Sequence, residues 1–318
     1  MTAALALLGY AVTAGYFAPT LLVLLTRGGA SVRPGLAAWL SAMASVPVSL
    51  ALAAALTVEA AQADWPALTR LLCQQVAGTA CSPQVYRNGL YSAGVAVLAV
   101  LSTLMVLAAL WRYGRRTGRA VASTRLHARA ALLAGRELDG AGAVVLDDPR
   151  PVAYCVAGRP AAIVVTSGAL AVLDKPQLAA VLAHERAHLA GRHHLVATFT
   201  RGLAAVFPGV PLFTRGAVEV ARLAELAADD AAARCAGRRD LVAALLAIAT
   251  GTAVPGAATA VNGPVPRGAL AASGHAVPAR VERLLDPPGL AAAVMFGLAL
   301  ALASAAFILV PVLLAAAA

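Results

Sequence analysis

Long uncharged stretches alternate with polar ones along this chain, and that alternation sets its organisation. Residues 2–26 are apolar apart from small polar residues, Pro19 and two tyrosines, which is about the length of helix a bilayer requires. The first basic residue is Arg27, so a retained span is expected rather than a signal peptide with its basic start. Gly35–Val58, Leu90–Leu110 and Gly289–Ala318 repeat the pattern and are read as three more spans. Between the second and third, residues 59–89 turn polar and are expected to form a loop. After the third, Ser123–Glu137 has the spacing of an amphipathic helix that can lie along the membrane. Ala143–Leu146, Val152–Val156 and Ala161–Val165 are β-rich pieces parted by the turns DDPRP and AGRP, and they predict a small antiparallel sheet. Asp174, Lys175 and Pro176 have the residue types of a helix start. Leu195–Phe213 is apolar enough for an interfacial or re-entrant hairpin, Ala221–Arg234 is Ala-rich and helical, and Asp240–Thr250 is a further short helix. Gly251–Gly274 has the Gly, Pro and Ala content of a loop.

Composition agrees with the spans. The chain is 60% hydrophobic and 13% charged with a mean hydropathy of +0.79, which excludes an ordinary soluble domain and makes the lipid bilayer a partner. The net charge of +10 could serve a nucleic acid. No basic patch interleaved with aromatics and no Cys/His finger spacing accompanies it, however, so direct nucleic-acid binding is not expected. The basic residues instead follow spans one and three, as Arg27 and Arg33, then Arg112, Arg115, Arg116 and Arg119. That bias puts those flanks in the cytoplasm and both termini outside a plasma membrane. Residues 59–89 then lie outside, where Cys73 and Cys81 can close a disulfide.

The chemistry lies in VLAHERAHLAGRHH. On a helix His184 and His188 stand one turn apart on one face and can offer two imidazoles to a single zinc ion, with Glu185 beside it. Six His and six Glu in 318 residues would give about 0.002 copies of His-Glu-x-x-His by chance. Hydrolytic zinc takes three protein ligands and a water. The best third ligand is Glu225, and Asp229, one turn on, can accept the other ring N–H of a ligating histidine. Glu185 can then take a proton from the metal-bound water and pass it to a leaving amine. His193 and His194 are competing ligand candidates, although cations near a helix C-terminus commonly serve its dipole. An edge strand of the small sheet can hold an extended substrate by β-addition, and His275 or Arg280 can stabilise an oxyanion.

AVLAHERAHLAGRHH, followed 37 residues after His188 by ELAAD, resembles the BlaR/MecR-type membrane zinc metallopeptidases, and more distantly the HtpX and CAAX prenyl protease group. The resemblance covers roughly Leu126–Leu285, including PVAYCVAGRPAAIVVTSGAL. It implies Zn²⁺ on His184, His188 and Glu225, Glu185 as general base, and Asp229 behind the ligands. The expected fold is a mainly α membrane protein with four transmembrane helices and a cytoplasmic α+β zincin-like metallopeptidase domain. Its parts are residues 1–58 (spans one and two), 59–89 (extracytoplasmic loop), 90–111 (span three), 112–288 (peptidase domain) and 289–318 (span four). The implied activity is endoproteolysis of a protein or peptide substrate, a transcriptional repressor among the possibilities. The alternatives are membrane-protein quality control and a catalytically inactive, zinc-stabilised signalling scaffold.

Overall fold

The computed structural model describes residues 1–78, 82–138, 140–158, 160–251 and 277–317. Four of its helices are long and apolar enough to cross a membrane. They are α1 (Thr2–Thr26), α2 (Val32–Val76), α3 (Pro83–Ala134) and, last in the described chain, α10 (Leu290–Ala316). Two of them run well past their apolar parts. The polar segment read as a loop is largely helical, because α2 continues to Val76 and α3 already starts at Pro83. Polarity there reports exposure, while the Ala, Leu, Gln and Glu content still favours helix. Likewise the amphipathic stretch after span three is not a separate helix on the membrane. It is the continuation of α3, which passes through Gly114 and Gly118 without a break. Cys73 is exposed on α2 with a free thiol, and its suggested partner Cys81 lies outside the described residues.

The sheet is mixed rather than antiparallel. Strands β1 (Arg136–Leu138), β2 (Ala143–Leu146), β3 (Ala153–Val156) and β4 (Ala162–Thr166) run in the order β1-β2-β4-β3. The chain returns from β3 to pair β4 with both β3 and β2, and the β2–β4 pair is parallel. One face of the sheet is covered by Ala128 and Ala131 of α3, which meet Tyr154, Val156 and Val164. The other face, with Cys155, Ile163 and Val165, packs on Val181 and Leu182 of α5 (Lys175–Ala190) and Ala244 of α8 (Arg238–Gly251). Both faces being buried explains why β3 and β4 read as continuous apolar runs. A short helix, α4 (Ser167–Val172), leads from β4 to α5.

The apolar stretch after α5 is a helical hairpin made by α6 (His193–Val206) and α7 (Pro211–Ala236). Its side chains Leu203, Leu212, Phe213 and Leu223 share one core with Leu22 of α1, Trp39 and Met43 of α2 and Leu300 of α10. Helix α7 can approach α2 this closely because of Gly216, where a Cβ would sit 2.8 Å from Met43 Sδ. Polar contacts tie the same helix to the α1–α2 connection, since Arg222 Nη2 donates to Thr26 O. Arg283 of α9 (Val277–Leu285) donates to Gly29 O and pairs with Asp230 of α7. The α1–α2 connection is therefore packed against α7 and α9.

Candidate metal centre

Helix α5 starts as its sequence predicts. Asp174 accepts from Gln177 N while the Gln177 side chain receives the Asp174 N–H, a capping box with Pro176 in the first turn. The start fixes the helical phase, and with it the inward face carrying His184, Glu185 and His188, all buried. Helix α7 lies across α5 and contributes Glu225 and Asp229, also buried. His184 Nε2 is 3.0 Å from His188 Nε2. Glu225 sends one oxygen toward each, at 3.6 Å from His184 Nε2 and 3.4 Å from His188 Nε2.

One ligand atom from each of the three residues lies within 4.8 Å of the other two, close enough for all three to reach a single ion with bonds of about 2.0–2.1 Å. The donor set of two imidazoles and a carboxylate is one that zinc takes in hydrolytic sites, and these are residues that could hold a metal ion together. Glu225 Oε2 is buried and makes no hydrogen bond of good geometry, its charge being met by the Arg280 guanidinium 3.2 Å away.

Behind the ligands stands a second layer of polar groups. His184 Nδ1 lies 3.1 Å from Asp229 Oδ1, the position expected for that carboxylate. Arg280 is buried behind the ligands and grips Asp229 with two donors, Nε at 2.7 Å and Nη2 at 2.6 Å. Its Nη1 is 3.2 Å from Glu225 Oε2. Weighed from the sequence as an oxyanion group, it is placed here as the counter-charge of both carboxylates. The amphipathic repeat of VPARVERLL, with arginines three apart, is the trace it leaves in the sequence. His275, the other oxyanion candidate, lies outside the described residues.

His193 is held away from the three-ligand cluster, on the far nitrogen of His188, with the two Nδ1 atoms 2.8 Å apart. A ligating imidazole is ordinarily fixed through its other nitrogen in this way. Gly191 makes the contact possible, because a Cβ there would stand 2.5 Å from His193 Nε2. The turn also holds Arg192 in the left-handed region at φ 50°, a strained conformation for a residue with a side chain.

Burial and neighbouring charges shift the titratable groups of this cluster. Burial pushes Glu185 up to about 7, with His184 pulling the other way and Glu225 adding to the rise. The Cys155 N–H and thiol both contact the Glu185 carboxyl, a neighbour the sequence did not disclose, and burial raises that thiol in turn. Burial opposes charge on His184, but Asp229 and Glu225 outweigh it and hold the ring at about 9. Burial lowers His188 to about 3. Burial opposes ionisation of Asp229 as well, yet Arg280 and His184 bring it to about 2. An ion held here would need the Nε2 lone pair of His184, so its binding would compete with protonation of that ring.

Residues 122–210, from the late turns of α3 through the α6–α7 turn, match the family model described as Peptidase family M48. That match contains His184, Glu185 and His188 and ends before Glu225, which the fold brings to them. A stretch of 100 residues is 38% identical to the Protease HtpX homolog of Acidiphilium cryptum (strain JF-5). It covers 30% of this chain and 35% of that protein, so the chain aligns with about a third of the relative's length. No solved structure matches significantly. These findings support a membrane metallopeptidase of the M48 kind and do not confirm the BlaR/MecR-type subfamily read from the sequence.

Proposed function

We propose that this chain is a multi-pass membrane zinc endopeptidase. The observation that carries the proposal is the buried triangle of His184, His188 and Glu225 with the Glu185 carboxyl beside it. A bound zinc ion would polarise the scissile carbonyl and lower the pKa of its water to about 7. Glu185, held near the same value by burial, is matched to take that proton and deliver it to the leaving nitrogen. Asp229 orients His184, His193 orients His188, and Arg280 balances the two carboxylates.

Strand β3 supplies the means to hold a peptide. The pair Val152–Thr166 carries a ladder hydrogen bond, so by alternation Tyr154 and Val156 bond to β4. Ala153 then turns its backbone groups to the edge away from β4, where an extended substrate can pair, while on the same side the Cys155 N–H is taken by the Glu185 carboxyl. Since Cys155 also meets Glu185, that edge passes alongside the general base. Purified protein with zinc is expected to cleave an unfolded protein substrate, and a chelator to stop it reversibly. Cleavage that persists with the metal removed would refute the reading.

The finer proposal is that the site faces the cytoplasm, with both termini outside, and that the substrate is regulatory, such as a transcriptional repressor. The Arg-rich flanks support the sidedness, as do the contacts of Arg222 and Arg283 with the α1–α2 connection. Cysteines introduced at Gln75 and Gly135, in a background lacking Cys73 and Cys81, should react differently with an impermeant reagent in intact cells. Labelling is expected at position 75 and not at 135. The opposite pattern would reverse the orientation.

A further inference from the structure

Between α3 and α6 runs a cavity of about 870 Å³ that takes no part in holding the metal. Five arginines line it, Arg116, Arg119, Arg125, Arg192 and Arg201, and its described lining contains no carboxylate. Thr117, Ser123, Thr124 and Thr198 add hydroxyls. Among the described residues, Arg116, Arg119, Arg125 and Arg192 form no ion pair, whereas Arg222, Arg280 and Arg283 each do. Such a concentration of one charge raises the local concentration of anionic partners.

The two ends of the groove differ. At the membrane end Gly202 of α6 lies against Tyr113 and Thr117 of α3, where a Cβ would be 2.6 Å from the tyrosine ring. At the other end are Ala157 and Gly158, which directly follow β3, together with Leu189 and Arg192 from the end of α5. Gly158 touches Ala128, one helical turn from Arg125. Ala157 is two positions beyond Cys155, or about 7 Å along a strand. A peptide added to the edge of β3, with its scissile bond near Glu185, therefore enters the groove two or three residues away.

Phospholipid headgroups explain only part of this charge. Arg116 and Arg119 follow Trp111 closely enough to meet them. Arg125, however, lies about 21 Å farther along α3 than Trp111, beyond the roughly 8 Å over which surface charge is felt at physiological salt. Arg192, at the end of α5, belongs with Arg125. We propose that this groove is a substrate subsite that takes an acidic peptide segment two or more residues from the cleaved bond. The proposal rests on the peptidase reading and adds the substrate class to it.

Full-length protein with zinc in detergent would be given peptides that share one cleavage sequence. They would carry Glu, Gln or Lys two or three residues to either side of the bond. The wild type should cleave the Glu peptides with a kcat/KM about tenfold or more above the Gln peptides, on one side of the bond only. Added salt should shrink that ratio. Arg125→Glu and Arg192→Glu should each abolish or invert the preference, with Arg125→Gln as a milder version, while Arg115→Glu, which lies outside the groove, keeps it. Because the readout is a ratio within each variant, a partly unfolded preparation does not mimic the effect. Fluorescence anisotropy of the same peptides on Glu185→Gln reports binding without turnover. Tighter binding of the Glu peptides there would support the subsite even if no peptide were cleaved, an outcome that would fail the peptidase reading alone. Equal handling of Glu and Gln peptides by the wild type would overturn the proposal. So would stimulation by anionic vesicles that depends on Arg125 and Arg192 without any peptide preference, since that would assign the groove to lipid.

Discussion

Glu185→Gln is expected to slow proteolysis by roughly 10²- to 10⁴-fold, the range for loss of a general base, while the metal stays bound. Glutamine keeps the shape of the side chain, and Glu185 forms no edge of the ligand triangle. What disappears is a carboxyl that burial holds up near 7, a value suited to taking and returning a proton at neutral pH. Glu225→Ala separates the two roles. Its oxygens lie 3.4 and 3.6 Å from the ligand nitrogens, so this variant should lose metal and activity together. Metal content by mass spectrometry and cleavage of a co-expressed protein, measured on both variants, make the comparison. A Glu185→Gln protein that holds zinc and cleaves at the wild-type rate would end the proton-transfer assignment. The same variant, still able to bind but slow to cleave, should retain its substrate through purification, and the identity of that protein decides between a repressor and a membrane-protein client.

What could be read from the residues, and what could not, divides along distance in the chain. His184, Glu185 and His188 lie within one and a half turns of a single helix, so their face and their chemistry follow from spacing alone. Asp174 and Pro176 announce where that helix begins for the same local reason. Glu225 is 37 residues from His188, and its place at the site depended on how α7 packs on α5. The acidic spacing that singled it out is local, but the contact is tertiary. Arg280 was singled out as a basic group near the cleft, but nothing in VPARVERLL says which buried carboxylate it will meet. The contact of Cys155 with Glu185 was not legible, since a small apolar residue in a strand carries no mark of the group it faces. The long helices α2 and α3 escaped for another reason. Hydropathy marks the apolar part of a helix, not where the helix ends, and helix-forming polar residues carry both well past their apolar parts.

Arg280→Met is expected to destabilise the protein by about 3 kcal/mol at neutral pH, the low end of the cost of stripping one partner from a buried ion pair. Asp229 is fully buried and takes both strong bonds of the guanidinium, at 2.6 and 2.7 Å. Methionine refills much of the volume but leaves that carboxylate with His184 alone, which is why the low end applies. The pH dependence identifies the cause. In the wild type Arg280 and His184 depress Asp229 to about 2, below an unfolded value of about 3.9. Its contribution is therefore complete above pH 4 and disappears as the pH falls from 4 to 2. Without Arg280, burial is the stronger influence and raises the carboxyl, so the variant instead loses stability as the pH rises above about 4. The gap between the two proteins should be widest near pH 7 and should narrow toward pH 4. Unfolding of both metal-free proteins in the same detergent, followed by denaturant titration across that range, measures it. Equal stability at pH 7, or a gap that does not shrink on acidification, would mean that Arg280 is not the counter-charge that lets Asp229 stay ionised behind the metal ligands.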